Sequence, residues 1–243
     1  PDCNRSDVEK LAKKYKFKNW ICNPCPNYKI DEKIFKFFDG LEKIVTPSTG
    51  VSHIDVNNAK NNGIKVISLK DTRFVNSIKA SSEFAFTLML STIRLVPNAV
   101  KYPLKNIWRN EQLEKSLRSY EFDGKKLCII GYGRIGKNIA KFSKSLGFKI
   151  FTYDPYKKVT TKYIKQLNSL NKLIDIADIL VVAVHLNDKT FKMLHFDNLK
   201  RLKKGSFFIN ISRGEIVDER ALIHFLKNRK IAAAGVDVIT NEQ

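Results

Sequence analysis

This chain has no long apolar run, few cysteines and little histidine, and its acidic residues are heavily outnumbered. The longest uncharged apolar stretch, Phe84 to Ile93, is half of what a membrane-spanning helix needs, so a bilayer span is excluded. Four cysteines in 243 residues do not make a disulfide framework. Two of them form "CNPC", Cys22 to Cys25, but zinc needs four ligands, and no second Cys or His pair stands at suitable spacing. Pro24 and Pro26 impose a loop where a thioredoxin-type dithiol needs a helix start. The cysteines therefore read as reduced thiols of a cytoplasmic protein. Internal repeats and low-complexity linkers are also missing.

Against 24 acidic residues stand 44 basic ones, a net charge of +20. Of these, 34 are Lys, spread along the whole chain. A nucleic-acid surface more often shows clustered Arg interleaved with aromatics, so the excess reads as compositional bias that attracts anionic small molecules. Apolar residues at 43% and charged residues at 28% match a soluble globular chain, and the length suits two domains.

Two regimes alternate helix and strand. In the first, "SDVEKLAKKY" reads as a helix with a Ser cap, "NWICN" as a strand and "DEKIFKFF" as a helix. "LEKIVTPS" and "IKVISL" read as strands around the helix "IDVNNAKNNG", which Gly63 ends. This is an α/β unit that reads as lacking its opening strand. Next, "SSEFAFTLMLSTIRL" is a long helix, apolar nearly all round, with a Ser cap and Pro97 beyond its end. A polar segment around Trp108 runs to Gly124. In the second regime five apolar strands recur, "KLCIIG", "FKIFTYD", "DILVVAV", "GSFFINI" and "IAAAGVDVI", with helical patterns between them. Continuous apolar strands separated by helices predict a doubly wound parallel sheet covered on both faces.

The first of these strands leads into Gly131-x-Gly133-x-x-Gly136, and an amphipathic helix follows, ending at Gly147. A second strand ends in Asp154, eighteen residues past Gly136. Gly131 permits the tight turn, Gly133 lets backbone approach a pyrophosphate, and Gly136 lets the helix pack on the strand. The helix start supplies N–H donors, and Asp154 accepts from the adenosine ribose. A carboxylate there repels a 2′-phosphate, so the cofactor is read as NAD. Arg213 follows the strand "GSFFINI", on the carboxyl edge where ligands of such sheets bind, and its planar guanidinium matches a carboxylate.

"INISRGEIVDERALIHFLKNRKIAAAGVDV" resembles the signature of the D-isomer-specific 2-hydroxyacid dehydrogenases, and "PSTGVSHIDVNNAKNNGIKVISL" resembles their substrate loop. "NSIKASSEFAFTLMLSTIR" is similar to the long helix between their domains. The resemblance covers nearly the whole chain. It implies an incomplete flavodoxin-like substrate-binding domain over 1–79, a Rossmann NAD-binding domain over 80–243, and a chain truncated at both ends. It implies catalytic roles for Arg213 and for Glu242, although the family follows that Glu with Pro and this chain with Gln243. The family's proton-donating His lies past Gln243, so this segment alone is expected to bind NAD and turn over little. Cofactor contacts carry over to Arg134, Ile135, Asp154, His185, Ile211, Ser212 and Asp237, and the substrate carboxylate to backbone N–H groups of Thr49, Gly50 and Val51. His53 stands beside that loop, whereas His195 and His224 read as helix residues. The implied substrate is a small 2-hydroxy or 2-oxo acid, and the implied assembly a homodimer. A non-catalytic NAD-binding protein, like the co-repressors that share this fold, is the alternative; the presence of both Arg213 and Glu242 favours the enzyme.

Overall fold

The computed structural model describes residues 3–24, 26–102, 111, 119 and 121–241. The chain divides into two compact units with the boundary between Ile78 and Lys79. Among the described residues no helix is long and apolar enough to cross a membrane.

In the first unit, helix α1 (Arg5–Lys14) starts from Asn4, whose side chain accepts from the Asp7 N–H while the Asp7 carboxylate accepts from the Asn4 N–H. This reciprocal box begins the helix earlier than the Ser cap expected at Ser6, which is left inside the first turn. Strands β1 (Asn19–Ile21), β2 (Lys43–Thr46) and β3 (Lys65–Ser68) pair in parallel in that order. Helices α2 (Glu32–Phe35) and α3 (Val56–Asn61) are capped by Asp31 and Asp55, whose carboxylates accept from backbone N–H groups of the first turn. The helix read over residues 31–38 is thus a single turn. Ile30, Ile34, Ile44, Ile54 and Ala59 form the centre of this unit's core.

The second unit opens with α4 (Ala80–Ile93) and α5 (Val96–Lys101). The expected Ser cap of α4 is absent: Lys79 holds the cap position, and the buried Ser82 hydroxyl instead accepts from Asn138 Nδ2 at 3.1 Å. Pro97 lies beyond the end of α4, in the first turn of α5, where no intrahelical N–H is needed.

Next come β4 (Lys126–Ile130), α6 (Arg134–Lys144), β5 (Lys149–Tyr153), β6 (Ile164–Gln166), α7 (Leu170–Ile176) and β7 (Ile179–Val182). After them follow α8 (Phe196–Lys200), β8 (Ser206–Asn210), α9 (Glu219–Lys227) and β9 (Ile231–Val236). The strands form one parallel sheet in the order β6-β5-β4-β7-β8-β9, which is the doubly wound topology expected. It has one strand more than the five read from the sequence. β6 carries the edge with only Ile164 buried, so no apolar run announces it.

Period two sorts the central strands between two cores. Cys128, Ile130, Leu180, Val182 and Phe208 face α7, α8 and α9, while Leu127, Ile129, Ile179, Val181, Phe207 and Ile209 face α4 and α6. Phe208 is fully buried, a side chain whose truncation to Ala costs about 3–5 kcal/mol in such a setting.

Cys128 is fully buried in β4, and burial, with a lesser push from the Asp178 charge, raises its thiol to about 12. A raised thiol pKa gives stability that is complete below the ordinary value of 9.0 and is lost as the pH climbs toward 12, because the unfolded thiol ionises first. We expect the stability margin of the native chain over Cys128→Ala to shrink steadily between those values in denaturant melts. A constant margin would contradict this.

Candidate functional site

β4 ends at Ile130, and the chain turns at Gly131 with φ +95°. A Cβ there would strike the Ala183 carbonyl oxygen and come within 2.8 Å of Val184 Cγ1, so the turn excludes side chains on two grounds. A Cβ on Gly136 would run into the Gly131 carbonyl oxygen, the mark of a helix held tight against its strand. Gly133 differs. It caps α6 with no side-chain hydrogen bond, its φ is an ordinary −77°, and a Cβ built on it meets nothing within 4 Å. The amino end of an eleven-residue helix therefore opens on empty space, with Arg134 and Ile135 in its first turn. These residues fit a dinucleotide: the space accepts a diphosphate and the helix end offers donors and partial positive charge.

Asp154 stands just past β5, and its carboxylate joins two loops. Oδ2 accepts from the Tyr132 N–H at 2.8 Å, inside the glycine turn, and Oδ1 accepts from the Tyr156 and Lys157 N–H groups at 2.9 and 3.0 Å. Of the roughly four lone-pair positions of a carboxylate, these leave one, on Oδ2. Because β4 pairs with β5 on one side and β7 on the other, the loops after these strands gather at the switch point of the sheet. Lys189 Nζ reaches across it to the Tyr156 hydroxyl at 3.5 Å. His185 is exposed in the loop after β7, its carbonyl accepting from Thr190 Oγ1 at 2.7 Å.

At the end of β8 the buried Asn210 builds the turn that carries Arg213. Its Oδ1 accepts from the Ser212 N–H and its Nδ2 donates to the Arg213 carbonyl, both at 3.0 Å. The Ser212 hydroxyl donates to the Val182 carbonyl and accepts from the Val184 N–H, again at 3.0 Å, stapling this turn to the loop after β7. The Ile211 N–H reaches the same carbonyl at 3.4 Å. The Arg213 backbone is thus held while its side chain is exposed. One guanidinium N–H meets the Ser212 carbonyl at 2.8 Å, and among the described residues Arg213 has no ion pair. A Cβ on Gly214 would enter the backbone of Ile239 and Thr240, and Glu219 Oε1 accepts from the Thr240 N–H at 2.6 Å. The Asp237 N–H binds the Asn210 carbonyl at 2.9 Å, and Asp237 itself is exposed. Glu242 lies outside the described residues, as do Cys25 and Trp108.

Sequence reasoning missed Asn210 and Glu219. The signal for Asn210 was present: a lone amide closing the otherwise apolar strand "SFFIN", with every residue buried. His195 stands at the N-cap position of α8 without a side-chain capping bond, and His224 on α9 packs against Phe196 with ring centroids 5.4 Å apart.

In the first unit, Thr49, Gly50 and Val51 form the loop after β2. Among the described residues none of their three consecutive N–H groups donates to another group of the chain, so they remain available as donors. The Ser48 hydroxyl pins the loop from beneath by donating to the Gly50 carbonyl at 2.6 Å.

The profile of the D-isomer specific 2-hydroxyacid dehydrogenase NAD-binding domain matches residues 86–243, well over half of the chain. The chain belongs to that family, and its second unit is the family's NAD-binding domain. A glyoxylate reductase of Pyrococcus furiosus is 32% identical over 221 residues, 88% of this chain and 64% of that protein. A D-3-phosphoglycerate dehydrogenase of Methanocaldococcus jannaschii is 32% identical over 217 residues, 88% of this chain and 40% of that one. The fold is shared with a D-lactate dehydrogenase from Aquifex aeolicus solved with NAD and lactic acid. The TM-score is 0.81 at 24% identity, covering 96% of this chain and 67% of that one. The chain therefore spans less than two thirds of the length of these curated relatives.

Proposed function

We propose that this chain serves an NAD-dependent interconversion of a small D-2-hydroxy acid and its 2-oxo acid. The observation that carries the reading is a pairing on one edge of one sheet. An uncapped helix end opens on space at Gly133, and a guanidinium with uncommitted donors stands on the braced turn at Arg213.

Bound NAD supplies or takes the hydride. Asp154 would hold one ribose hydroxyl with its remaining lone pair. The diphosphate would meet the amides of α6 at Arg134 and Ile135, beside Gly131, Gly133 and Gly136. His185 and Ile211 would border the nicotinamide ribose. Ser212 would act there through its backbone, because its hydroxyl is already engaged by β7 and the loop after it. Asp237 would hold the carboxamide. Arg213 would pair with the substrate carboxylate and stabilise negative charge developing on the carbonyl oxygen. In the first unit, the family resemblance assigns substrate contact to the N–H groups of Thr49, Gly50 and Val51. The family resemblance assigns Glu242 to raise the pKa of a proton-donating histidine. The glyoxylate and phosphoglycerate named for the relatives support a short, anionic substrate. We further infer a homodimer, supported by the exposed Phe84 on the apolar α4 and checked by sedimentation, and a cytoplasmic location, supported by the free thiols of Cys3, Cys22 and Cys128.

Fluorescence titration tests the cofactor half. NADH is expected to saturate the chain, and NADPH to bind at least about tenfold more weakly, because Asp154 would face the 2′ position. Calorimetry with oxamate, a 2-oxo acid analogue, tests the substrate half: binding is expected to the NADH-loaded chain. No NADH binding, or no oxamate binding with NADH bound, would overturn the corresponding half.

A further inference from the structure

The buried side of the substrate loop holds polar groups that the proposed chemistry does not use. Thr46 Oγ1, 1% exposed at the end of β2, lies 2.9 Å from Ser48 Oγ and 3.2 Å from His53 Nε2. Cys22 Sγ, from a residue 2% exposed, lies 3.9 Å from the same His53 nitrogen. Burial pushes the Cys22 thiol pKa up, so it stays a neutral wall of this site.

The direction of each hydrogen bond follows by elimination. Gly50 offers a carbonyl, so the Ser48 hydroxyl must give its single proton to it. Ser48 Oγ can then only accept, and Thr46 must donate to it. With its only proton so used, Thr46 Oγ1 can only accept from His53, whose Nε2 must therefore carry a hydrogen. The opposite tautomer would demand two protons from one hydroxyl.

We propose that His53 is a positioning residue for the carboxylate-binding loop, holding Gly50 through the ordered chain His53 Nε2–H to Thr46, Thr46 to Ser48, and Ser48 to the Gly50 carbonyl. Fixing that carbonyl sets the peptide plane between Gly50 and Val51, and so the aim of the Val51 N–H at the end of the loop. The inference rests on the reading that this loop takes the substrate carboxylate.

Long-range nitrogen–proton NMR of the histidine rings gives the first test: the neutral His53 ring is expected as the Nε2–H tautomer, and an Nδ1–H ring would overturn the chain. Oxamate titrations of the NADH-loaded protein give the second. His53→Ala is expected to weaken oxamate about tenfold with NADH affinity unchanged, and Ser48→Ala to do the same. The double variant should lose no more than either single one, because both break the same chain. Additive losses would overturn the proposal. His53→Gln, whose amide can still donate to Thr46, should recover most of the affinity. It remains readable if the Ala variant unfolds, and failure of a folded Gln variant to recover would count against the chain. A native protein that binds NADH but no oxamate would instead remove the substrate-loop reading on which the inference stands.

Discussion

Gly133→Val is expected to lower NADH affinity by about a hundredfold or more, roughly 2.7 kcal/mol, while leaving the melting temperature of the chain nearly unchanged. The two effects separate because of where the side chain goes. Gly133 has an ordinary φ of −77°, and a Cβ there meets no atom within 4 Å, so the backbone and the first added carbon are accommodated. That same space is the one a diphosphate needs at the start of α6, and valine methyl groups would fill it and screen the helix amides. Gly131→Ala is the contrasting variant. Its Cβ would meet the Ala183 carbonyl at φ +95°, so it should lose stability and cofactor together. If Gly133→Val binds NADH like the native chain, the diphosphate does not lie there.

Arg213→Ala is expected to weaken oxamate binding to the NADH-loaded chain by about a hundredfold, again near 2.7 kcal/mol, with NADH affinity changed less than about twofold. The guanidinium is exposed and bonded to one carbonyl, so its removal leaves the fold intact. Arg213→Lys should recover only part of the loss, because an ammonium keeps the charge but not the two-pronged geometry. Asn210→Ala should weaken oxamate as well but lower the melting temperature too, since the Ser212 N–H and the Arg213 carbonyl both lose their partner inside the protein. Equal oxamate affinity in native and Arg213→Ala proteins would remove this arginine from the substrate.

The strands of the second unit were legible because each is an apolar run between helical stretches, and a sheet buried on both faces needs such runs. β6 was illegible for the converse reason: an edge strand of three residues, with one buried, carries no periodic signal. Cap assignments slipped in the same way. Ser6 and Ser82 are reasonable caps by residue type, but Asn4 found an acidic partner in Asp7, and Ser82 found Asn138 across the core. At the site, Arg213 could be picked out from its place after "GSFFINI", whereas Asn210 and Glu219 act only through partners that folding brings to them.

By itself the sequence determined the doubly wound sheet, the glycine turn with its acidic partner at Asp154, and the arginine on the carboxyl edge. Each of these is written in spacing along one chain, where strand and helix periods leave a local trace. Only the tertiary structure decided that Asp154 already serves two loops, that Ser212 turns its hydroxyl to β7, and that His53 comes within hydrogen-bond reach of Thr46. Those choices depend on which donors and acceptors meet across 22, 30 and 7 residues of separation, and a short polar side chain carries no mark of its distant partner.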